Sequence, residues 1–418
     1  MTPSLFTALF LAALAVSVAL QLWLAARQRR YVLAHRDAVP AHFDARISLA
    51  AHQKAADYTV ARGRLAVVEI ILDTIVLLAL TLGGSLAWIA ELCATLPFAS
   101  LFRDVALVVI VALIAGALSL PLAWFRTFVL EQRFGFNRTT LGLWIADIVK
   151  STLIAAALGV PLLTLVLWLM VRAGAWWWLG AWVAWVAFQA LVLVLYPTVI
   201  APLFNSFRPL TDASVRERIE RLLARCGFAA KGLFVMDGSK RTAHGNAYFT
   251  GFGAARRIVI FDTLIARLAP EEIEAVLAHE LGHFKLRHVL KRAVWYALGS
   301  LVLLALLGWL VGEPWFYAGL GVPGPAPRYG VALVLFMLAL PVFTFLVTPA
   351  AASYSRRHEY EADRYAAGHA SGAALVEALV KLYEDNASTL TPDPIYSAFY
   401  DSHPPAAARI ARLEAAPA

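Results

Sequence analysis

Long apolar runs dominate this chain and limit what it can fold into. Seven stretches of low charge are each long enough to cross ~30 Å of hydrocarbon as a helix. They lie near residues 4–26, 65–92, 105–125, 152–171, 178–200, 293–312 and 330–351. The chain is 61% hydrophobic and 15% charged, whereas a soluble domain is roughly 25% charged. The sequence therefore predicts a mainly helical, multi-pass integral membrane protein and argues against a set of soluble domains.

Basic residues between the runs indicate the orientation. Segment 27–64 carries eight Lys and Arg residues and 126–150 carries four, while 93–104, 172–177 and 313–329 carry one each. Positive charge collects on the cytoplasmic side of a membrane. We therefore expect the N-terminus outside and these segments inside: 27–64, 126–150, 201–292 and 352–418. Loops beside anionic lipid also account for the net charge of +8, so no nucleic-acid partner is needed. Arg outnumbers Lys 29 to 7, from which we expect a bacterial inner membrane.

Two segments, 205–292 and 353–418, have soluble composition and lie on the same side of the predicted membrane, so they can build one site together. The first contains a helix that begins at Pro270 with acidic residues in its first turn. Short β-like runs precede this helix, at 233–237, 247–252 and 258–261. We expect a small sheet followed by a functional helix.

The helix carries the pattern HELGH at 279–283. His279 and His283, at positions i and i+4, share one helix face, so their ring nitrogens can converge on one zinc ion at ~2.0–2.1 Å. Glu280 is suited to act as the general base toward water. The pattern predicts one Zn²⁺ per chain and peptide hydrolysis. His288 lies five residues past His283, about 140° around an unbroken helix, and we expect it to make a solvent or loop contact.

A hydrolytic zinc ion needs a third protein ligand as well as an open position. Glu359 follows the last apolar run on the correct side, but Glu361 and His358 compete with it on chemistry alone. Asp363, one helical turn after Glu359, is placed to hydrogen-bond the outer nitrogen of a ligating histidine. From the residues alone, two further positions have simple structural explanations: His403 as a helix-entry residue and Arg409 as a solvated charge.

Taken together, the motifs resemble those of the type I CAAX prenyl proteases, seven-span membrane zinc metalloproteases of the gluzincin class. The resemblance covers most of the chain. The segments that carry it are FGFNRTTL at 134–141, IAPLFN at 200–205, DGSKR at 237–241, NAYF at 246–249, HELGH at 279–283, SRRHEYEAD at 355–363, SHPP at 402–405, and Arg409.

This resemblance implies a role for each matching residue. Glu359 is implied to be the third zinc ligand, with Asp363 supporting the ligands. His403 and Arg409 are implied to approach the site and stabilise the tetrahedral intermediate. The seven helices are implied to enclose a large water-filled chamber, closed at its cytoplasmic end by the zinc site. An edge strand is implied along which the substrate backbone lies; its residues are Asn246, Ala247, Tyr248 and Phe249.

The sequence thus predicts a zinc-dependent membrane endopeptidase that acts on peptide or protein substrates, which the resemblance implies are prenylated at a CAAX terminus. Its other expected partner is membrane lipid. The expected domains are 1–204 with helices one to five, 205–292 and 353–418 as two parts of a metalloprotease domain, and 293–352 with helices six and seven. Two alternatives stay open: a membrane quality-control metalloprotease, and a transporter or channel lined by Glu69 and Asp73.

Overall fold

Helices make up most of the structure, a computed structural model that describes residues 1–41, 43–228, 232–250 and 257–415. The α-helices are α1 (Pro3–Ala34), α2 (Leu49–Leu80), α3 (Ser85–Ala94), α4 (Ser100–Phe125), α5 (Gln132–Phe134), α6 (Leu141–Arg172), α7 (Trp177–Leu195), α8 (Ala201–Phe204), α9 (Ala213–Arg225), α10 (Asp262–Ile265), α11 (Pro270–Lys285), α12 (His288–Leu310), α13 (Pro314–Gly319), α14 (Tyr329–Thr344), α15 (Thr348–His369), α16 (Gly372–Asp385), α17 (Pro394–Tyr400) and α18 (Ala406–Glu414). The strands are β1 (Phe207–Pro209), β2 (Gly232–Met236), β3 (Ala247–Thr250) and β4 (Arg257–Phe261).

Six helical segments of the described chain are long and apolar enough to cross a membrane. They are Pro3–Ala34, Ser100–Phe134, Leu141–Arg172, Gly174–Phe204, His288–Leu310 and Tyr329–His369. Helices α2 and α3 form a further pair, bent by 50°, that brings the number to seven if the pair is one span. The predicted count of seven therefore agrees with the structure when the bent pair is counted as one span. The last segment continues past the apolar run into α15, which carries SRRHEYEAD.

A four-stranded sheet in the order β1-β2-β4-β3 precedes the HELGH helix. Strand β4 pairs in parallel with β2 and antiparallel with β3, which lies at the edge of the sheet. The three predicted β-like runs correspond to β2, β3 and β4, although residues 251 and 252 of the second run lie outside the described residues. Strand β1 is not predicted by the sequence, because it has three residues and ends at Pro209. In β4, β-branched Ile258, Val259 and Ile260 are all buried, as expected of a strand covered on both faces.

Local sequence fixes where α11 begins and which face it buries. Pro270 occupies the first turn, and the carboxylate of Glu272 accepts a hydrogen bond from the backbone N–H of Ala269 at 2.8 Å. On the buried face, Ile273 and Leu277 lie in one hydrophobic core with residues of α9, α16 and the sheet. This core packs the helix between the sheet and the C-terminal helices.

A glycine within the motif lets α11 approach α15 closely. A Cβ atom at Gly282 would lie 3.1 Å from the Cα of Ala362, so a side chain there would push the two helices apart. The packing of α11 on α15 sets the histidines of HELGH beside Glu359. Backbone contact, rather than sequence proximity, therefore assembles the site.

Candidate metal centre

Three side chains from α11 and α15 converge at one point. The Nε2 atoms of His279 and His283 are 3.2 Å apart. Glu359 presents Oε2 at 3.4 Å from His279 Nε2 and Oε1 at 3.3 Å from His283 Nε2. Ligands bound tetrahedrally at ~2.0–2.1 Å would be separated by about 3.3–3.4 Å. The three side chains therefore have the chemistry and the spacing of a single metal site.

Only one of the three candidates for the third ligand lies with the histidine pair among the described residues. Glu359 does so, whereas His358 and Glu361 point to a neighbouring cluster with His288. The His358 ring stacks on that of His288, with centroids 4.1 Å apart and planes 8° from parallel. Helical geometry explains the division, since residues 358 and 361 leave α15 at different angles from residue 359.

Asp363 and Arg409 lie behind His279. The Oδ1 atom of Asp363 is 2.9 Å from the outer ring nitrogen, Nδ1, of His279, the arrangement that orients a ligating imidazole. Arg409 contacts Asp363 through two guanidinium nitrogens and is 7% exposed. The alternative that Arg409 is a solvated charge is therefore wrong: α18 packs on α15 and buries it.

His288 is not in the solvent or loop environment expected from the sequence. Its side chain is fully buried, with Nδ1 at 3.0 Å from His283 Nδ1 and Nε2 at 3.0 Å from Glu361 Oε2. The expectation of 140° assumed a continuous helix. Instead α11 ends at Lys285, and Arg287 adopts a left-handed φ of 57°. The chain turns there, so that His288 begins α12 with its ring directed back toward His283.

Burial and nearby charges shift the ionisation of the two neighbouring motif residues. Burial opposes a proton on His279, but the nearby carboxylates of Asp363 and Glu359 outweigh burial and raise the pKa of His279 to about 9. Burial raises the pKa of Glu280, against the opposing effect of the nearby histidines. A carboxylate with a raised pKa is a stronger base than a solvated one, as a proton-accepting role requires.

The implied oxyanion donors approach the site from the C-terminal segment. The Nε2 atom of His403 is 3.5 Å from Glu359 Oε1, and its side chain is 65% exposed, so it stays accessible to a substrate. The Nη1 atom of Arg409 is 4.0 Å from Glu359 Oε2. Because Asp363 engages Nε and Nη2, Nη1 is the nitrogen of Arg409 that could serve the oxyanion role.

The implied substrate strand is β3, at the sheet edge. Its register pairs Ala247 with Ile260 and Tyr248 with Val259, and the backbone carbonyl of Asn246 accepts a hydrogen bond from Phe261 N–H at 2.9 Å. Phe249 packs edge-on against Phe228, with ring centroids 5.5 Å apart. One side of β3 is thus paired with β4, while the other is the position at which an extended peptide can add.

A cavity of about 530 Å³ opens beside the candidate metal centre. The resemblance implies a water-filled chamber there, but it does not imply which cations line it. Its lining includes His403 and the cations Arg29 and Arg62 from α1 and α2. The sequence signal for these cations is the set of eight basic residues in 27–64. That set predicts the orientation of the chain in the membrane, but it does not predict a pocket. Glu69 also lines the cavity and forms an ion pair with Arg126.

Comparison with known proteins gives the family. A model described as "CAAX prenyl protease N-terminal, five membrane helices" matches residues 28–206, and one for "Peptidase family M48" matches residues 209–416. The chain belongs to peptidase family M48. It is 34% identical to the CAAX prenyl protease 1 homolog of Arabidopsis thaliana, over 79% of this chain and 80% of that protein. It is 36% identical to CAAX prenyl protease 1 of Saccharomyces cerevisiae, over 71% of this chain and 68% of that protein.

A solved structure of this family has the same fold. The crystal structure of S. mikatae Ste24p superimposes with a TM-score of 0.92 at 30% identity, covering 98% of this chain and 99% of that one. The predicted fold class and the resemblance to CAAX prenyl proteases are thereby confirmed. As an M48 member, the chain is a multi-pass membrane metalloendopeptidase that uses a metal cofactor, which leaves the transporter or channel alternative without support.

Proposed function

We propose that this chain binds one zinc ion through His279, His283 and Glu359 and uses it to cleave the C-terminal peptide from prenylated proteins. The spacing of the three donors carries the metal assignment. A second observation supports it: Glu359 Oε2 is buried and accepts no hydrogen bond from any described residue. A buried carboxylate oxygen without a donor is costly unless a cation neutralises it.

When bound, zinc would supply a Lewis acid that polarises the scissile carbonyl and acidifies a water molecule. The surrounding residues would transfer the proton, stabilise the developing negative charge and orient the ligands. Glu280 accepts the proton of the attacking water and returns it to the leaving amine. His403 and Nη1 of Arg409 donate hydrogen bonds to the oxygen that becomes negative. Asp363 holds the His279 ring in the orientation that leaves Nε2 free of a proton.

The substrate would lie in extended form along β3, over Asn246, Ala247, Tyr248 and Phe249, and cross the metal centre. Two observations support a CAAX-type substrate. The relatives above are named CAAX prenyl proteases. In addition, the cavity beside His403 presents Arg29 and Arg62, which suit the free carboxylate at the end of a short leaving peptide.

We further propose that the site faces the cytoplasm of a bacterial cell, with the N-terminus outside. In this arrangement 1–204 and 293–352 form the membrane part, while 205–292 and 353–418 form the two parts of the metalloprotease domain. The basic loops support the orientation, and the packing of α11 on α15 supports one domain built from two segments. Reporter fusions at 138 and 325 should read out opposite sides of the inner membrane.

The deciding experiment compares one peptide with and without a C15 isoprenoid on its cysteine. Each buried CH₂ group contributes ~0.8 kcal/mol, so we expect the lipidated peptide to be cleaved with at least about tenfold higher kcat/KM. The purified Glu280→Gln variant is the negative control. Equal rates for the two peptides would reject prenyl recognition and favour the quality-control alternative, in which unmodified membrane proteins are the substrates.

A further inference from the structure

We propose that Glu361 is a positioning residue for the zinc ligand His283 and acts on it through His288. The proposal rests on the proposed metal centre. It concerns the outer ring nitrogen of His283, for which the resemblance implies no partner. Asp363 contacts the outer nitrogen of His279 directly, so the two ligating histidines are supported in different ways.

Hydrogen-bonding contacts connect the Glu361 carboxylate through His288 to His283. Glu361 Oε2 is 3.0 Å from His288 Nε2, and His288 Nδ1 is 3.0 Å from His283 Nδ1. The other carboxylate oxygen, Oε1, accepts a hydrogen bond from Arg357 Nε at 3.1 Å. His288 is fully buried, so protein contacts and not water fix its ring.

The positions of the protons determine which atom donates in each of these hydrogen bonds. A metal at the centre requires His283 Nε2 to be free of a proton, and a neutral imidazole then carries its one proton on Nδ1. His283 Nδ1 must therefore donate to His288 Nδ1, which must be bare. His288 consequently carries its proton on Nε2 and donates it to Glu361. Each ring nitrogen of His283 and His288 then acts as a donor, an acceptor or a metal ligand. The Glu361 carboxylate thereby selects the tautomer of His283 that can bind the metal.

A second metal ion is the competing explanation for these residues, since the ligand atoms of His288, His358 and Glu361 lie within 4.8 Å of one another. The ring geometry argues against it. The planes of His288 and His358 are 8° from parallel with centroids 4.1 Å apart, so their in-plane lone pairs run side by side and do not converge. In addition, His288 Nδ1 faces His283, which lies outside this set of residues.

Zinc affinity of the purified full-length protein in detergent tests the proposal, by competition with a chelator. In His288→Phe an aromatic ring still stacks on His358, but both hydrogen bonds are lost. We expect its zinc Kd to rise about 10–100-fold while the unfolding temperature of the zinc-free protein stays near the wild-type value. His288→Gln can accept through its amide oxygen and donate through its amide nitrogen, so it should recover much of the affinity.

Two further variants sharpen the test. Glu361→Gln removes the charge but keeps an acceptor, and its Kd should fall between those of the wild type and His288→Phe. His369→Phe is the matched control, because His369 stacks on Tyr365 of the same helix away from the metal centre. Its Kd should equal that of the wild type.

An unchanged Kd in His288→Phe would overturn the proposal. So would two zinc ions per wild-type chain falling to one in this variant, which would establish the second metal. An equal loss of zinc-free stability in His288→Phe and His288→Gln without recovery of affinity would reduce His288 to a packing role. A wild type without zinc would reject the metal centre and this proposal together. A wild type that binds zinc but cleaves no prenylated peptide would reject the proposed substrate alone.

Discussion

Arg409 donates to both carboxylate oxygens of Asp363, from Nη2 to Oδ1 at 2.6 Å and from Nε to Oδ2 at 2.9 Å. The two residues are 7% and 4% exposed, so the pair is bidentate and almost fully desolvated. Because Asp363 also faces His279, the pair joins α18 and α15 to the proposed metal ligand. Its loss should therefore affect stability and metal binding together.

Arg409→Met should lower the free energy of unfolding by about 3–5 kcal/mol, because it leaves the carboxylate of Asp363 buried and unpaired. Arg409→Lys keeps the charge but cannot make the bidentate contact, and should lose less. Thermal unfolding of the zinc-free protein in detergent measures both. Arg412→Met, on the exposed face of the same helix, is the control; it loses the contact of Arg412 with the Tyr360 ring and should cost no more than about 1 kcal/mol. Equal melting temperatures for Arg409→Met and Arg412→Met would contradict this assignment.

Glu280→Gln should bind zinc as the wild type does and lose about 10²–10⁴-fold in kcat, because an amide cannot accept the proton of the attacking water. Metal analysis and peptide cleavage by the same preparation separate the two effects. Glu271→Gln alters an exposed carboxylate in the first turn of the same helix and should retain full activity. Near-normal turnover by Glu280→Gln would remove it from the proton-transfer role.

Glu359→Ala should lose most of the bound metal, since it removes one of the three proposed protein ligands and leaves two neutral imidazoles. His358→Phe should keep the metal, because His358 lies outside the converging donors although it is adjacent in sequence. Zinc content after gel filtration is the measurement. A fully loaded Glu359→Ala protein, or a metal-free His358→Phe protein, would show that Glu359 is not the third ligand.

The local part of the site could be read from the sequence, and the nonlocal part could not. An i, i+4 histidine pair is a property of one helix, and the start of α11 at Pro270 has a local signal. Choosing Glu359 over Glu361 or His358 depends on how α15 rotates against α11. That packing is set by a backbone approach at Gly282, which the spacing of residues does not specify.

Two changes in backbone direction account for most of the remaining differences between the sequence predictions and the structure. Arg287 has a positive φ of 57°, a conformation uncommon for residues other than glycine, so no local pattern predicts that His288 turns back to the proposed metal centre. The apolar run 65–92 predicts one span, but α2 ends at Leu80 and Gly84, with a φ of 77°, directly precedes α3, which allows the 50° bend between the two helices. The apolar length was predicted correctly, and the bend was not.

Arg62 and Arg29 should distinguish substrates by their C-terminus. Both line the cavity beside His403, whereas the third cation there, Arg126, is already paired with Glu69. A hydrogen bond to a charged group contributes about 1.5–3 kcal/mol. Arg62→Gln should therefore raise KM about tenfold or more for a prenylated peptide with a free carboxylate and leave its C-terminal amide unaffected.

The ratio of kcat/KM values for the acid and the amide is the decisive measurement, because a general loss of activity cancels in it. In the wild type we expect the ratio to favour the acid, and in the Arg29→Gln, Arg62→Gln double variant we expect it to approach one. Arg30→Gln, one residue along α1 and outside the cavity lining, should keep the wild-type ratio. Equal cleavage of the acid and the amide by the wild-type enzyme would show that the cavity does not recognise the C-terminal carboxylate. The leaving peptide would then have to be held by β3 and its side-chain contacts alone.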